Sequence, residues 1–185
     1  MPESPVPLSA HHVWMARYNA WMNEKLYACV AQLPDEERKR DRGAFFGSIH
    51  RTLNHLVVAD KIWLGRFAQQ PPGFPMLTDE VLALPGFTGL DMQLFTDFDA
   101  MRQHRETMDT AITAFAAALT PELVSGTMRY ATTKGVPRSH AFWQALSHFF
   151  NHQTHHRGQV TTLLMQAGID PDATDLILLA DSAPS

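Results

Sequence analysis

Residues 139 to 168 read SHAFWQALSHFFNHQTHHRGQVTTLLMQAG, and this stretch decides the fold of the later part of the chain. Its apolar residues recur at spacings of three, four, eleven and three, the repeat of one helix face; they are Phe142, Ala145, Phe149, Val160 and Leu163. Ser139 suits the N-cap position, and Gly168 suits the left-handed position just after a helix. The stretch therefore predicts a long amphipathic α-helix.

Three other segments show the same helical periodicity between breaks rich in proline and glycine. They cover approximately residues 9–32, residues 48–70 with Ser48 as N-cap, and residues 91–119. Four amphipathic helices of about 20 to 29 residues bury their apolar faces most simply against one another. The sequence therefore predicts an all-α fold, a four-helix bundle.

Two connections are too long to be simple turns. Residues 71–90 are rich in Pro, Gly and Phe, and predict a long crossover from one end of the bundle to the other. Before the last long helix, residues 127–130 and 135–137 flank a turn-like Thr133-Lys134-Gly135, which predicts a short hairpin packed on the bundle. Residues 172–179 predict one more short helix.

Length, net charge and cysteine content limit the classes of protein to which this sequence can belong. A chain of 185 residues suits a single domain, residues 1–185, with a hydrophobic core large enough to fold without stabilising disulfides or metals. The net charge of −4 and the pI near 6.2 give no basic surface, so we expect no nucleic-acid partner. The single cysteine, Cys29, lies on an apolar stripe, which predicts a buried thiol in a reducing compartment.

The sequence predicts neither a signal peptide nor a membrane-spanning segment. Residues 1–5, Met-Pro-Glu-Ser-Pro, lack the basic and apolar regions of a signal peptide. No apolar run approaches the roughly 20 residues needed to span a bilayer. We therefore expect a soluble, cytoplasmic protein that has no membrane partner.

The last long helix also carries the residues with metal-binding chemistry. His152 and His156 are four residues apart, so they lie about 40° apart around the helix axis and fill the gap in its apolar stripe. Two imidazoles on one face can hold one metal ion. This spacing is nevertheless common, and a buried histidine is more often a hydrogen-bonded core residue. A metal site therefore needs a third ligand from another helix.

The second long helix offers two candidates for that ligand, His50 and His55. They are five residues apart, about 140° around the axis, so they cannot face one site together. His55 adjoins Leu56 on the core stripe, whereas His50 lies nearer the amino end of the helix. We favour His55, and His50 stays open on these grounds alone.

Several segments resemble the DinB family of damage-inducible-type proteins. They are ARYNAWMN at residues 16–23, FFGSIHRTLNHL at residues 45–56, DKIW at residues 60–63, and the run NHQTHHRGQ at residues 151–159. The resemblance extends over essentially the whole chain, with the segments in the right order.

The resemblance implies a fold, a metal site and a type of activity. The DinB/YfiT-like superfamily consists of bundle proteins, often homodimeric, with a metal site of one histidine from the second helix and two from the last. In this sequence those positions match His55, His152 and His156. Relatives include metal-dependent enzymes that use low-molecular-weight thiols, as transferases or isomerases, so the resemblance implies a small-molecule substrate such as a thiol.

The ligand set narrows the metal. No Asp or Glu lies between Ser139 and Gln166, which argues against the carboxylate cage of di-iron bundles. Mg²⁺ and Ca²⁺ prefer oxygen ligands. Three neutral imidazoles suit a divalent transition metal, Zn²⁺ or Ni²⁺ first and Fe²⁺ or Co²⁺ as competitors. Three protein ligands also leave positions open for water or substrate, as in catalytic zinc sites.

A general base is less evident. Zinc peptidases place a Glu directly after the first histidine of this motif, whereas Gln153 stands here, so a peptidase is disfavoured. His148, one turn before His152, is the candidate catalytic residue, with a partly exposed polar role as the alternative. Asp60 lies on an apolar stripe and needs a partner, either a ligand histidine or a cation such as Arg157.

Two functions from different classes remain. The first is a metal-dependent enzyme, a thiol S-transferase or a hydrolase-like enzyme, whose metal acts as a Lewis acid. The second is a stress-associated metal-binding or structural protein without turnover, whose metal only braces the bundle. In either case metal needs unprotonated imidazole, and free histidine titrates at about 6.5, so we expect metal occupancy to fall as pH drops through about 6 to 5.

Overall fold

The computed structural model describes residues 8–181, apart from the side chain of Asp181. The expectation for the amino end, residues 1–5, therefore lies outside the described residues. The described chain is mostly helical, with one small two-stranded sheet. In chain order its elements are α1 (Leu8–Ala31), α2 (Asp35–Lys39), α3 (Ile49–Ala68), α4 (Asp79–Leu82), α5 (Phe98–Ala117), α6 (Pro121–Ser125), β1 (Thr127–Ala131), β2 (Pro137–Ala141), α7 (Phe142–Gln166) and α8 (Leu178–Asp181).

The four long helices, α1, α3, α5 and α7, share one hydrophobic core. Helix α1 packs against α5 and α7, and α3 packs against α7 and α5. Helices α3 and α7 run antiparallel, because His55 lies beside His152 while Phe67, three turns later, lies beside Phe142. Cys29 is buried, as predicted. No helix within residues 8–181 is long and apolar enough to cross a membrane.

Two of the predicted helix ends are confirmed. Ser48 precedes α3, and its Oγ accepts a hydrogen bond from the Arg51 N–H at 3.2 Å. Gly168 follows α7 with φ of +80°, a conformation that glycine adopts without steric cost.

The predicted start of the last long helix is wrong. Ser139 is not an N-cap; it pairs with Arg129 in the antiparallel hairpin of β1 and β2. The predicted hairpin is confirmed, but it extends to Ala141 and delays the helix to Phe142. Tyr130 in β1 contacts Trp63 in α3 with ring centroids 5.4 Å apart, so the hairpin packs on that helix.

The predicted start of the third long helix is also wrong. Residues 91–97 are not helical, and α5 begins at Phe98 with Asp97 as N-cap, whose carboxylate accepts from the Ala100 N–H at 2.8 Å. The side chain of Asn54 binds both the N–H and the C=O of Phe95, at 2.8 and 3.0 Å. Those main-chain groups are therefore engaged by α3 rather than by helical partners.

These contacts define the path of the predicted crossover. The connection leaves the carboxyl end of α3 and returns along it, so that Leu90 and Phe95 lie against the amino half of the same helix. The short helix α4 lies within the connection.

The predicted helix at residues 172–179 is largely wrong, because only its last two residues belong to α8. The preceding carbonyl groups bind α1 instead. Tyr18 Oη donates to the Thr174 oxygen at 2.7 Å, and Lys25 Nζ donates to the Ala173 oxygen at 2.6 Å.

Candidate metal centre

Three imidazoles converge between α3 and α7. His152 Nε2 lies 3.2 Å from His55 Nε2 and 3.1 Å from His156 Nε2, and the three ligand atoms are all within 4.8 Å of one another. The antiparallel packing brings His55 to the α7 face on which the other two stand one turn apart. The structure thus brings together the three histidines that the sequence and the resemblance singled out.

The outer nitrogen of two of these rings is held by an oxygen. His55 Nδ1 lies 2.8 Å from the Leu90 carbonyl oxygen, and His156 Nδ1 lies 2.7 Å from Gln159 Oε1. Both oxygens only accept hydrogen bonds, so each Nδ1 carries the hydrogen and donates it. The Nε2 lone pair of each ring then points to the centre, which is the orientation of a metal ligand.

The donor set fits one divalent transition metal ion. With Zn–N bonds of about 2.0–2.1 Å, neighbouring nitrogens stand about 3.3 Å apart around a tetrahedral ion and about 2.9 Å apart at right angles. The distances from His152 Nε2 to the Nε2 atoms of His156 and His55, 3.1 and 3.2 Å, fall in this interval. Without a cation, the Nε2 lone pairs of His55 and His156 would both point to the centre and repel each other. Only His152 could carry a proton on its Nε2 and place it between them. A cation removes that repulsion.

Burial keeps these imidazoles in their neutral form. It is the largest cause that lowers the pKa of His55 and of His156. The pKa of His152 is lowered to about 3, first by burial and then by the neighbouring His156 and His55. Neutral imidazole is the form that binds metal, so the three ligands need not lose protons to do so near pH 7.

The two sides of the centre differ. On one side Phe46 stacks on His55 with centroids 4.1 Å apart and lies 5.5 Å from the His156 ring, so it shields the nitrogens. On the other side His55 and His152 line a cavity of about 310 Å³. The centre therefore has one covered face and one face that a small molecule can reach.

His148 lies in the wall of that cavity. Its exposed side chain stands with its ring centroid 5.9 Å from His152 and 4.9 Å from Trp63. Burial, followed by the charge of Arg66, lowers its pKa. Gln153 is 1% exposed and lies near Asp60, away from the cavity. Of these two polar side chains, only His148 adjoins the open face.

A buried charged cluster lies beneath the centre and joins the four long helices. Arg105 of α5 pairs with Asp60 of α3 at 2.6 Å and with Asp109 at 2.9 Å. In α1, the amides of Asn19 and Asn23 donate to Asp109 at 2.9 to 3.0 Å. Burial raises the pKa of Asp109 to about 6 and also raises that of Asp60, while Arg105 opposes both shifts.

The expected partner of Asp60 needs correction. The cation in hydrogen-bond contact with it is Arg105, not Arg157. Arg157, which follows His156, donates instead to Asn19 Oδ1 in α1 and to Thr154. Arg105 reaches Asp60 because α5 packs against α3, a pairing that sequence periodicity does not specify.

His50, His104 and His155 are not members of the three-histidine cluster. His50 Nε2 lies 2.9 Å from the Phe95 carbonyl oxygen, which removes it as a competing ligand. His104 is half-buried with its ring 5.1 Å from that of Phe95. His155 is exposed, and its ring centroid lies 4.8 Å from that of His156.

Sequence reasoning missed four contributors to the site: Phe46, Arg66, Leu90 and Gln159. Gln159 stands three residues after His156, a helical neighbour that the spacing could have identified. Arg66 stands eleven residues after His55, on nearly the same face of α3. Leu90 holds His55 through its carbonyl oxygen, a main-chain group that no side-chain pattern signals.

Comparison with known proteins agrees with this architecture. The sequence matches the family model described as DinB family over residues 8–185. Protein DinB of Bacillus subtilis (strain 168) is 24% identical over 165 residues, covering 85% of this chain and 87% of that protein. The crystal structure of a DinB-like protein from Bacillus cereus ATCC 10987 is similar in fold, with a TM-score of 0.54 at 23% identity, over 82% of this chain and 89% of that chain. The chain belongs to the DinB family.

Proposed function

We propose that this chain is a metal-dependent enzyme that holds a divalent transition metal, Zn²⁺ or Ni²⁺ before Fe²⁺ or Co²⁺, on His55, His152 and His156. The observation that carries the proposal is the convergence of three Nε2 atoms beside an open cavity. The family resemblance supports a thiol S-transferase that acts on a small molecule. We also propose that the chain is a single-domain four-helix bundle. Two copies would form a homodimer in the cytoplasm.

The chain's own residues have separate tasks in this proposal. A bound metal would supply Lewis-acid chemistry that lowers the pKa of a thiol or water at the open face. Leu90 and Gln159 fix the orientation of two ligand rings. Phe46 excludes water from the covered face. His148, in the cavity wall, can accept a proton from a substrate group and return it to a leaving group.

The open face favours catalysis over a purely structural metal. Structural zinc sites are closed by four protein ligands, whereas catalytic sites keep a position for substrate. In the described part of the chain, the cluster that can hold an ion contains three side chains. The cavity adjoins two of them. This arrangement supports turnover rather than bracing alone.

The test combines metal content with turnover. Purified protein is analysed for metals and assayed with bacillithiol, mycothiol or glutathione and an electrophile such as 1-chloro-2,4-dinitrobenzene, from which the thiolate displaces chloride. We expect His152→Ala to lose metal and turnover while remaining folded. His11→Ala is the matched control, because His11 is an exposed histidine of α1 that lies outside the cluster.

Two results would count against the proposal. Equal metal content in His152→Ala and wild type would remove the three-histidine site. A metal-loaded wild type that consumes none of these thiols, but melts at a lower temperature after chelation, would favour the structural alternative.

A further inference from the structure

We infer that the cavity beside the metal centre binds an elongated anionic substrate, whose carboxylate pairs with Arg66 while its other end reaches the three histidines. The inference rests on the proposed function, because it names the substrate class of the same site.

The cavity follows one face of α3. Its lining from this helix consists of His55, Ala59, Ile62, Trp63 and Arg66, at spacings of four, three, one and three. Eleven residues separate the first from the last, so their Cα atoms lie on nearly the same face and about 16 Å apart along the axis. The cavity therefore has a histidine end and a cationic end.

The guanidinium of Arg66 lacks a protein acceptor. It stacks on Trp63 and Tyr130, with Cζ 4.6 and 4.9 Å from the ring centroids. The side chain is half-buried, yet no carboxylate or hydrogen-bond acceptor among residues 8–181 pairs with its guanidinium. The buried Arg105, by contrast, has two carboxylate partners. Arg66 is thus a partly desolvated cation whose N–H groups have no acceptor among residues 8–181.

Such a group is suited to a carboxylate ligand. Stacking engages the faces of a guanidinium but leaves the N–H groups at its edge, which can bind a carboxylate in bidentate geometry. The cavity lining contains no acidic side chain, and it includes the polar residue Thr133. A ligand anion would therefore meet a cation and no repelling charge.

The middle of the cavity determines the spacer between the two ends. On α3, Ala59 and Ile62 lie between His55 and Arg66 along the helix axis and add apolar surface to the cavity lining. A volume of about 310 Å³ admits a small molecule. The fitting substrate has a metal-seeking group, a short apolar spacer and a terminal carboxylate.

The test uses two probes that share a thiol and a six-carbon chain, 6-mercaptohexanoate and 6-mercaptohexan-1-ol. Their affinities for Zn²⁺-loaded protein are measured by calorimetry. We expect the acid to bind at least about 10-fold more tightly than the alcohol, the range of one charge-assisted contact. Arg66→Met should abolish this preference, and Arg66→Lys should retain part of it. Arg138→Met, an exposed arginine on the hairpin, should leave it unchanged.

The outcomes separate the inference from the proposed function. Equal binding of the two probes by metal-loaded wild type, or a preference that survives in Arg66→Met, would overturn the inference and leave the metal site intact. The same titrations on chelator-treated protein should show weaker binding with the preference retained. If the wild type binds no metal but retains an Arg66-dependent preference, the inference stands and the proposed function fails.

Discussion

Leu90 and Gln159 determine which nitrogen of His55 and His156 faces the metal centre. Helical spacing identified His152 and His156 in the sequence, whereas His55 was left open against His50 until the family resemblance favoured it. The sequence could identify Gln159 by the same spacing rule, but not Leu90, whose contribution is a main-chain oxygen brought by a long connection. At this scale, the members of the histidine cluster were predictable, and the contacts that hold their rings were only partly so.

Gln159→Leu should weaken metal binding by about 10-fold, because loss of an outer-sphere partner of a ligand histidine typically costs 10–100-fold in affinity. The leucine cannot accept the hydrogen of His156 Nδ1, so the ring loses its fixed orientation. Competition with a chromogenic chelator measures the affinity. Gln166→Leu, on the exposed side of the same helix, is the matched control. Equal affinities for the two variants would show that the contact has no role in metal binding.

At the scale of elements, prediction failed where tertiary contacts use main-chain groups. Four long helices were predictable because each has an apolar stripe and recognisable ends, such as Ser48 and Gly168. Residues 91–97 fit a helical pattern but are extended along α3, since Asn54 engages Phe95. Ser139 has N-cap chemistry but is a hairpin residue. The partners that decide these cases are distant in sequence.

Asn54→Ala should loosen the segment that carries Leu90 and Phe95. The asparagine side chain satisfies both main-chain groups of Phe95, so its removal leaves them without that partner. We expect faster hydrogen exchange at the Phe95 amide and weaker metal binding, because the Leu90 carbonyl that orients His55 lies in the same segment. Mass spectrometry of exchanged peptides measures the first effect. Unchanged protection of residues 90–97 would contradict this account.

Arg105→Met should destabilise the fold by about 3–5 kcal/mol, the usual cost of removing one partner from a buried ion pair. Arg105 is 3% exposed, and its loss leaves the Asp60 and Asp109 carboxylates without their shared cation. Urea denaturation measures the free energy of unfolding. Arg102→Met is the control one turn earlier on α5, where an exposed pair with Glu106 should contribute less than about 1 kcal/mol. Similar losses in both variants would argue that the buried cluster has no special role.

For the whole molecule, the pH dependence of stability follows from buried histidines. His12 is 1% exposed, and burial, then the charge of His11, lowers its pKa to about 4, while the Leu8 backbone opposes this shift. Between pH 6.5 and 4 the unfolded chain binds this proton and the folded chain does not. The contribution of His12 to the free energy of unfolding is therefore fully present above about pH 6.5 and is lost as pH falls toward 4. His104, whose pKa burial also lowers to about 4, acts in the same direction.

A variant isolates this effect. Asp109 acts in the opposite sense, since burial raises its pKa to about 6 and the folded state then takes up the proton first. Asp109 is present in both wild type and His12→Phe, so comparing the two metal-free proteins cancels its contribution to the pH dependence. We expect the free energy of unfolding from urea titrations at pH 7, 6, 5 and 4.5 to decline less in His12→Phe. Parallel declines would show that His12 does not titrate as its burial implies.

The separation of the ligands along the chain has a consequence for biosynthesis. His55 precedes His152 by 97 residues, and α7 contributes both the second and third ligands and one wall of the core. A ribosome-bound chain that has emerged only through the hairpin carries a single ligand and an uncovered apolar interior. The cluster therefore cannot assemble until α7 has been synthesised and has packed against α3, so any ion that it holds would be bound late in folding.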